Sequence, residues 1–200
     1  MENNKFFEEL KKKVKTMLGE KGSHDFNHIE RVYKYSIIIS KGLNVDLDIV
    51  KASALLHDIA KSKEEKREVK DHATQSAIEA RKILKKMKFP EEKIEIVYKC
   101  ILLHNKKEDL PEIKEVRVLK EADALEAIGA IGVARTFSYI GEKTNWNPSL
   151  KESPLNLLIS RSNPNYLKIP IARKLARKKL KFVNKFCNQF IKEFNLCLNK

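Results

Sequence analysis

Ile49-Val50-Lys51-Ala52-Ser53-Ala54-Leu55-Leu56-His57-Asp58-Ile59-Ala60-Lys61 reads as a helix that ends in two polar side chains. Ile49, Ala52, Leu55, Leu56 and Ile59 recur at spacings of three and four, the helical period. Asp46 stands in front of them as an N-cap. His57 and Asp58 follow the apolar face side by side, and burying such groups is costly unless something pairs with them. An imidazole nitrogen and a carboxylate oxygen together suit zinc, manganese, iron and related ions. The bland alternative is an ordinary His–Asp pair at a frayed helix end.

Outward from this stretch the same period holds in both directions, so the fold class is all-α. A first helix spans about 4–18, with Phe6, Phe7, Leu10, Val14 and Met17 on one side, and Gly19 and Gly22 end it. A second begins near Asp25, an expected N-cap, and carries Ile29, Val32, Tyr33, Ser36 and Ile37. Asp71 precedes a helix through Ala73, Ala77, Ala80, Ile83 and Leu84. Pro90, Glu91 and Glu92 suit the first turn of the next. Pro111 opens a sixth, with Ile113, Val116, Leu119 and Ala122, and a helix rich in small residues covers about 126–140. Four of the six prolines then fall between Trp146 and Pro170, which marks 141–169 as loop-rich with short helical pieces. A closing basic helix runs over about 170–197. Its stripe of Ile171, Leu175, Phe182, Val183, Phe186, Phe190 and Phe194 is expected in the core, or else at a homodimer seam. The 200 residues suit a single domain.

The net charge is +14. Residues 168–200 hold ten Lys or Arg and one acid, so most of the excess sits in the tail. Such a surface attracts phosphates, including nucleic acid, unless it is a plain solvated face. No apolar run approaches the roughly 18 residues needed to span a bilayer. No signal-peptide pattern opens the chain. The three cysteines, Cys100, Cys187 and Cys197, form no CxxC pair. A reducing, cytoplasmic setting is expected.

The five histidines, His24, His28, His57, His72 and His104, all fall near element ends beside apolar faces. His28 lies in the first turn of a helix whose inner face follows at Ile29 and Val32. His104 closes the run Ile101-Leu102-Leu103. Asp123 falls on the stripe of Val116 and Leu119. Inward polar groups on four separate helices point to one shared site, a metal centre.

In these motifs and their order the chain resembles the HD-domain metal-dependent phosphohydrolases, a helical superfamily. The resemblance covers about residues 20–140. It makes His28 in HDFNHIERV the first ligand, His57 and Asp58 the signature doublet, and Asp123 in LKEADALEAIGAIGVARTF the closing aspartate. His72 in DHATQSAIEA and His104 in ILLHN match the further histidines of two-metal members. Two departures stand out. Asn105 occupies a position where a further histidine often follows. Ala124 and Glu126 stand where small stand-alone members often read Asp-Arg-Leu-Asp.

The resemblance implies hydrolysis of a small phosphorylated substrate with a divalent ion: Mn, Fe, Ni, Co, Zn or Mg. Asp58 would bridge two ions, with His72 and His104 serving the second or facing substrate. Lys61, about one helical turn past the doublet, is a candidate for a phosphate oxygen or a solvated lysine. Arg135 is a second phosphate candidate or a partner of Asp123. His24 would donate to substrate, orient the site, or belong to a surface turn. Two other classes stay open: a nucleotide-sensing module without turnover, and a nucleic-acid-binding protein that uses the basic tail.

Overall fold

A computed structural model describes residues 2–18, 26–106, 112–143, 154–161 and 163–198. Among these residues there is no strand; the elements are helices joined by turns. In chain order they are α1 (Glu2–Leu18), α2 (Phe26–Ile39), α3 (Leu47–Leu56), α4 (Lys61–Glu65), α5 (His72–Lys86), α6 (Glu91–Leu103), α7 (Lys114–Glu126), α8 (Gly129–Lys143), α9 (Pro154–Ser160), a 3-10 turn (Pro164–Tyr166) and α10 (Pro170–Leu198). No described helix is long and apolar enough to cross a membrane. The chain packs as two compact units, Met1–Asp123 and Ala124–Lys200.

In the first unit α3 is the axis. It packs on α1, α2, α5 and α6. Ile49, Val50, Ala52, Ser53, Ala54, Leu55 and Leu56 are all buried, so the helix is enclosed on nearly every side. Phe7, Leu10 and Val14 of α1, Ile29 and Val32 of α2, Leu84 of α5, and Ile94, Val97 and Ile101 of α6 complete the core. Side-chain caps open α3, at the expected Asp46, and α5, at Asp71. Asp46 accepts from the Asp48 backbone N–H at 2.8 Å, and its own N–H donates to Glu115 Oε1 at 2.9 Å. Asp71 accepts from the N–H groups of Ala73 and Thr74 at the start of α5. The short α4 is a surprise of the fold. Its sequence, KSKEE, has no apolar residue and hence no periodic signal. The turn before it is held instead by Ser76 Oγ, which accepts from the Ala60 N–H at 3.1 Å.

In the second unit α8, α9, α10 and the 3-10 turn pack on one another. Gly129 has φ +83, and a Cβ there would meet the Lys179 side chain at 2.7 Å. Glycine therefore lets α10 lie close enough for Lys179 to donate to the Leu125 carbonyl. The apolar face of α10 differs from the expected stripe. Ala172, Ala176, Leu180, Val183 and Cys187 are buried, while Phe182 is 47% exposed. Phe182 and Val183 are adjacent and point about 100° apart, so only one can face inward. Phe186 and Phe190 do pack, against Phe137 with ring centroids 5.8 Å away.

Candidate metal centre

Four imidazoles and two carboxylates from five parts of the first unit meet in one place. The buried helix α3 delivers His57 and Asp58 where its apolar run ends. His28 comes from the first turn of α2, His72 from the first residue of α5, His104 from the end of α6, and Asp123 from α7. His28, His57, Asp58, His72 and His104 are each 8% exposed or less. The Asp123 side chain is 37% exposed and is the member that reaches solvent.

The two oxygens of Asp58 face different pairs of histidines. Oδ2 lies 3.6 Å from His28 Nε2 and 3.7 Å from His57 Nε2. Oδ1 lies 3.3 Å from His72 Nε2 and 3.6 Å from His104 Nε2. The first group gains Asp123, whose Oδ1 is 3.6 Å from His28 Nε2, while the Nε2 atoms of His28 and His57 are 3.3 Å apart. Donors about 2.0–2.2 Å from a shared ion stand roughly 3.0–3.6 Å from one another, so separations of 3.3–3.7 Å lie at or just beyond the spacing of ligands around a cation. Asp58 Oδ1 is fully buried yet makes no well-formed hydrogen bond, a vacant acceptor that an ion would satisfy.

Local structure fixes how the imidazoles point. His57 caps the end of α3, and its Nδ1 lies 2.9 Å from the Ala54 carbonyl. His104 caps α6 in the same way, with Nδ1 2.6 Å from the Ile101 carbonyl. A carbonyl only accepts, so Nδ1 carries the proton in both rings and Nε2 keeps its lone pair for the site. His72 is held by Glu64 of α4. Glu64 Oε1 accepts from the His72 backbone N–H at 3.1 Å and lies 2.9 Å from Nδ1. Lys61 turns toward this group: its Nζ donates to Glu64 Oε2 and lies 3.3 Å from His72 Nδ1. Glu64 was not among the residues singled out by sequence. The one available signal is its position, a helical step of three from Lys61.

Electrostatics follow the geometry. Burial pushes the His57 imidazolium down to about 4, against the pull of Asp58. Burial would raise Asp58, but His57, His104, His28 and His72 outweigh it and hold the carboxyl well below its ordinary range. Burial would lower His72, but Asp58 and Glu64 outweigh it and raise the imidazole. Burial would likewise raise Glu64, but Lys61 and His72 bring it down to about 2. Asp58 is therefore an anionic carboxylate beside a neutral His57, donors that suit a divalent cation.

The Arg135 guanidinium pairs with the buried carboxylate of Glu126, both in the second unit. His24, like Asp25 and Pro111, lies outside the described residues.

Residues 25–128 match the HD domain family. An uncharacterised protein, YpgQ of Bacillus subtilis, is 30% identical over 149 residues, which cover 72% of this chain and 70% of the relative. The crystal structure of that protein in complex with ADP superposes with a TM-score of 0.79 at 26% identity, covering 96% of this chain and 97% of the other. An HD-superfamily hydrolase from Bacillus thuringiensis gives a TM-score of 0.75 at 28% identity, covering 96% and 98%.

Proposed function

We propose, for a chain that belongs to the HD-domain family, that it is a metal-dependent phosphohydrolase acting on a nucleotide or a similar small phosphate ester. One observation carries the reading: a buried carboxylate turns each of its oxygens to a separate pair of imidazole nitrogens. His28, His57, Asp58 and Asp123 would hold one ion, and Asp58, His72 and His104 a second. Ions held there would supply Lewis acidity, making water a competent nucleophile near neutral pH and drawing charge from a phosphoryl oxygen. The residues do the rest. His57 and His104 present fixed lone pairs, Asp58 spans the two groups, and Asp123 sits where substrate arrives from solvent. The nucleotide class is supported by the ADP complex of the Bacillus subtilis relative, whose fold this chain shares.

A panel of nucleotides and simple phosphate esters, with manganese, nickel, cobalt or magnesium added, tests the activity. Release of phosphate or pyrophosphate is expected. If no ester in the panel is cleaved with any of these ions, the reading fails and a binding module without turnover takes its place.

Glu64 acts here as a positioning residue. A carboxylate behind a ligating histidine typically contributes a factor of about 10–100 in metal affinity. Glu64→Ala should therefore weaken the second of two calorimetric binding events by that factor and leave the first unchanged. Glu64→Gln, which keeps an oxygen acceptor for Nδ1, should restore much of the affinity. Equal losses at both events would remove Glu64 from this role. Lys61→Ala, which frees Glu64 without deleting it, should have the smaller effect.

His72 and His57 set the pH response of metal uptake. An imidazole must be neutral to bind. His72, raised above 6.5, takes up its competing proton at higher pH than His57, which stays neutral down to about 4. As pH falls, the ion beside His72 should therefore leave before the one beside His57. Metal content measured after equilibration at stepped pH checks the order; simultaneous loss of both ions counts against it.

A further inference from the structure

Lys174, Arg177, Lys178, Lys181, Lys185 and Lys192 follow one another at helical spacings along α10, and all six are exposed. At about 100° per residue they share an arc of roughly 100°, and the stripe runs about 27 Å. No acid lies on that arc. Glu193, the one acid of the segment, accepts from Gln189 instead. Among the described residues none of the six cations forms an ion pair. A helix face meant only for water usually interleaves acids and bases, because like charges three and four apart destabilise a helix. Here the repulsion runs over the central turns without relief, which suits a polyanion that would supply it.

The aromatic beside the stripe selects among polyanions. Phe182, 47% exposed, follows Lys181 and lies within one turn of Lys178 and Lys185. An anionic membrane would need an apolar helix face to sink into it. The face of α10 that could do so is buried within its own unit through Ala172, Ala176, Leu180, Val183 and Cys187. A row of cations with one exposed ring at its edge matches a phosphate backbone that presents bases for stacking. We infer that the outer face of α10 binds single-stranded nucleic acid, phosphates along Lys174–Lys185 and a base on Phe182.

The test is fluorescence anisotropy of a labelled single strand titrated with the full chain over a series of salt concentrations, the strand checked for integrity afterwards. If five phosphates are neutralised, the logarithm of Kd should rise with that of salt with a slope of about 3.5. A variant carrying Lys174→Gln, Arg177→Gln, Lys178→Gln, Lys181→Gln and Lys185→Gln should lose most of that slope and at least about tenfold in affinity. Its melting temperature should hold or rise, since the repulsion is gone. Phe182→Ala should lose about tenfold while keeping the slope. Asp58→Ala should bind the strand as the parent does, which separates this surface from the metal centre. The inference is overturned if the parent shows no salt-dependent binding, if the five-site variant binds equally well, or if Asp58→Ala abolishes binding. Capture by phosphatidylserine vesicles but not by the strand overturns it in favour of a membrane. An unaffected Phe182→Ala overturns the single-strand assignment.

Discussion

Asp58→Ala is expected to lower hydrolysis of any phosphate substrate by about three orders of magnitude or more, with the helical circular-dichroism spectrum unchanged. Both ligand groups lose their shared carboxylate, since Oδ1 and Oδ2 face one pair of histidines each. The Lewis-acid contribution lost with the ions is several kcal/mol, and about 4 kcal/mol corresponds to a thousandfold in rate. Steady-state turnover on a verified substrate, at saturating metal, is the measurement. Near-normal turnover in the variant would end the metal reading, whereas unfolding of the variant would show only that Asp58 is structural. Asp58→Asn distinguishes these, because it keeps the shape and removes the charge.

A second large effect is expected in the core. Leu55, fully buried in α3, should cost about 3 kcal/mol when cut to alanine, from lost burial and the cavity left behind. In a unit of 123 residues that is a fall of roughly 10 °C in Tm, read by thermal melts. The companion measurement is a melt in excess chelator. The helices α1, α2, α3, α5 and α6 pack on one another through a large apolar core, so the apo protein should remain helical and melt cooperatively. A zinc-finger-like collapse on chelation would mean that the ion builds the fold. Leu55→Ala should then appear mild beside it, the reverse of the ranking expected here.

Much of this architecture was legible in the chain because its helices are strongly periodic and begin with side-chain caps. Asp46 announces α3 as its cap, and Asp71 marks the start of α5, where its side chain accepts from the first-turn N–H groups. The spacing from Val116 and Leu119 places Asp123 facing in, and the apolar run to Leu56 leaves His57 and Asp58 buried at its end. What escaped the sequence has physical causes. KSKEE carries no apolar period, so α4 and the hold of Glu64 on His72 left no mark. Residue type draws Phe182 into the core stripe, although its neighbour Val183 takes the inward direction. That Asp58 stands between two pairs of histidines depends on the meeting of five segments, which spacing along one chain does not encode.

The capping histidines bear on how relatives of this protein should be compared. His57 and His104 each satisfy a carbonyl that their helix would otherwise leave open. A descendant without the proposed hydrolysis would still be under pressure to retain both imidazoles, for the backbone's sake alone. Among the described residues neither Asp58 nor Asp123 accepts a backbone hydrogen through its side chain, so no such pressure guards the two carboxylates. Across a lineage, then, retained histidines at 57 and 104 speak for inheritance of the scaffold. Aspartates kept at 58 and 123 are the better witness that the proposed chemistry is under selection.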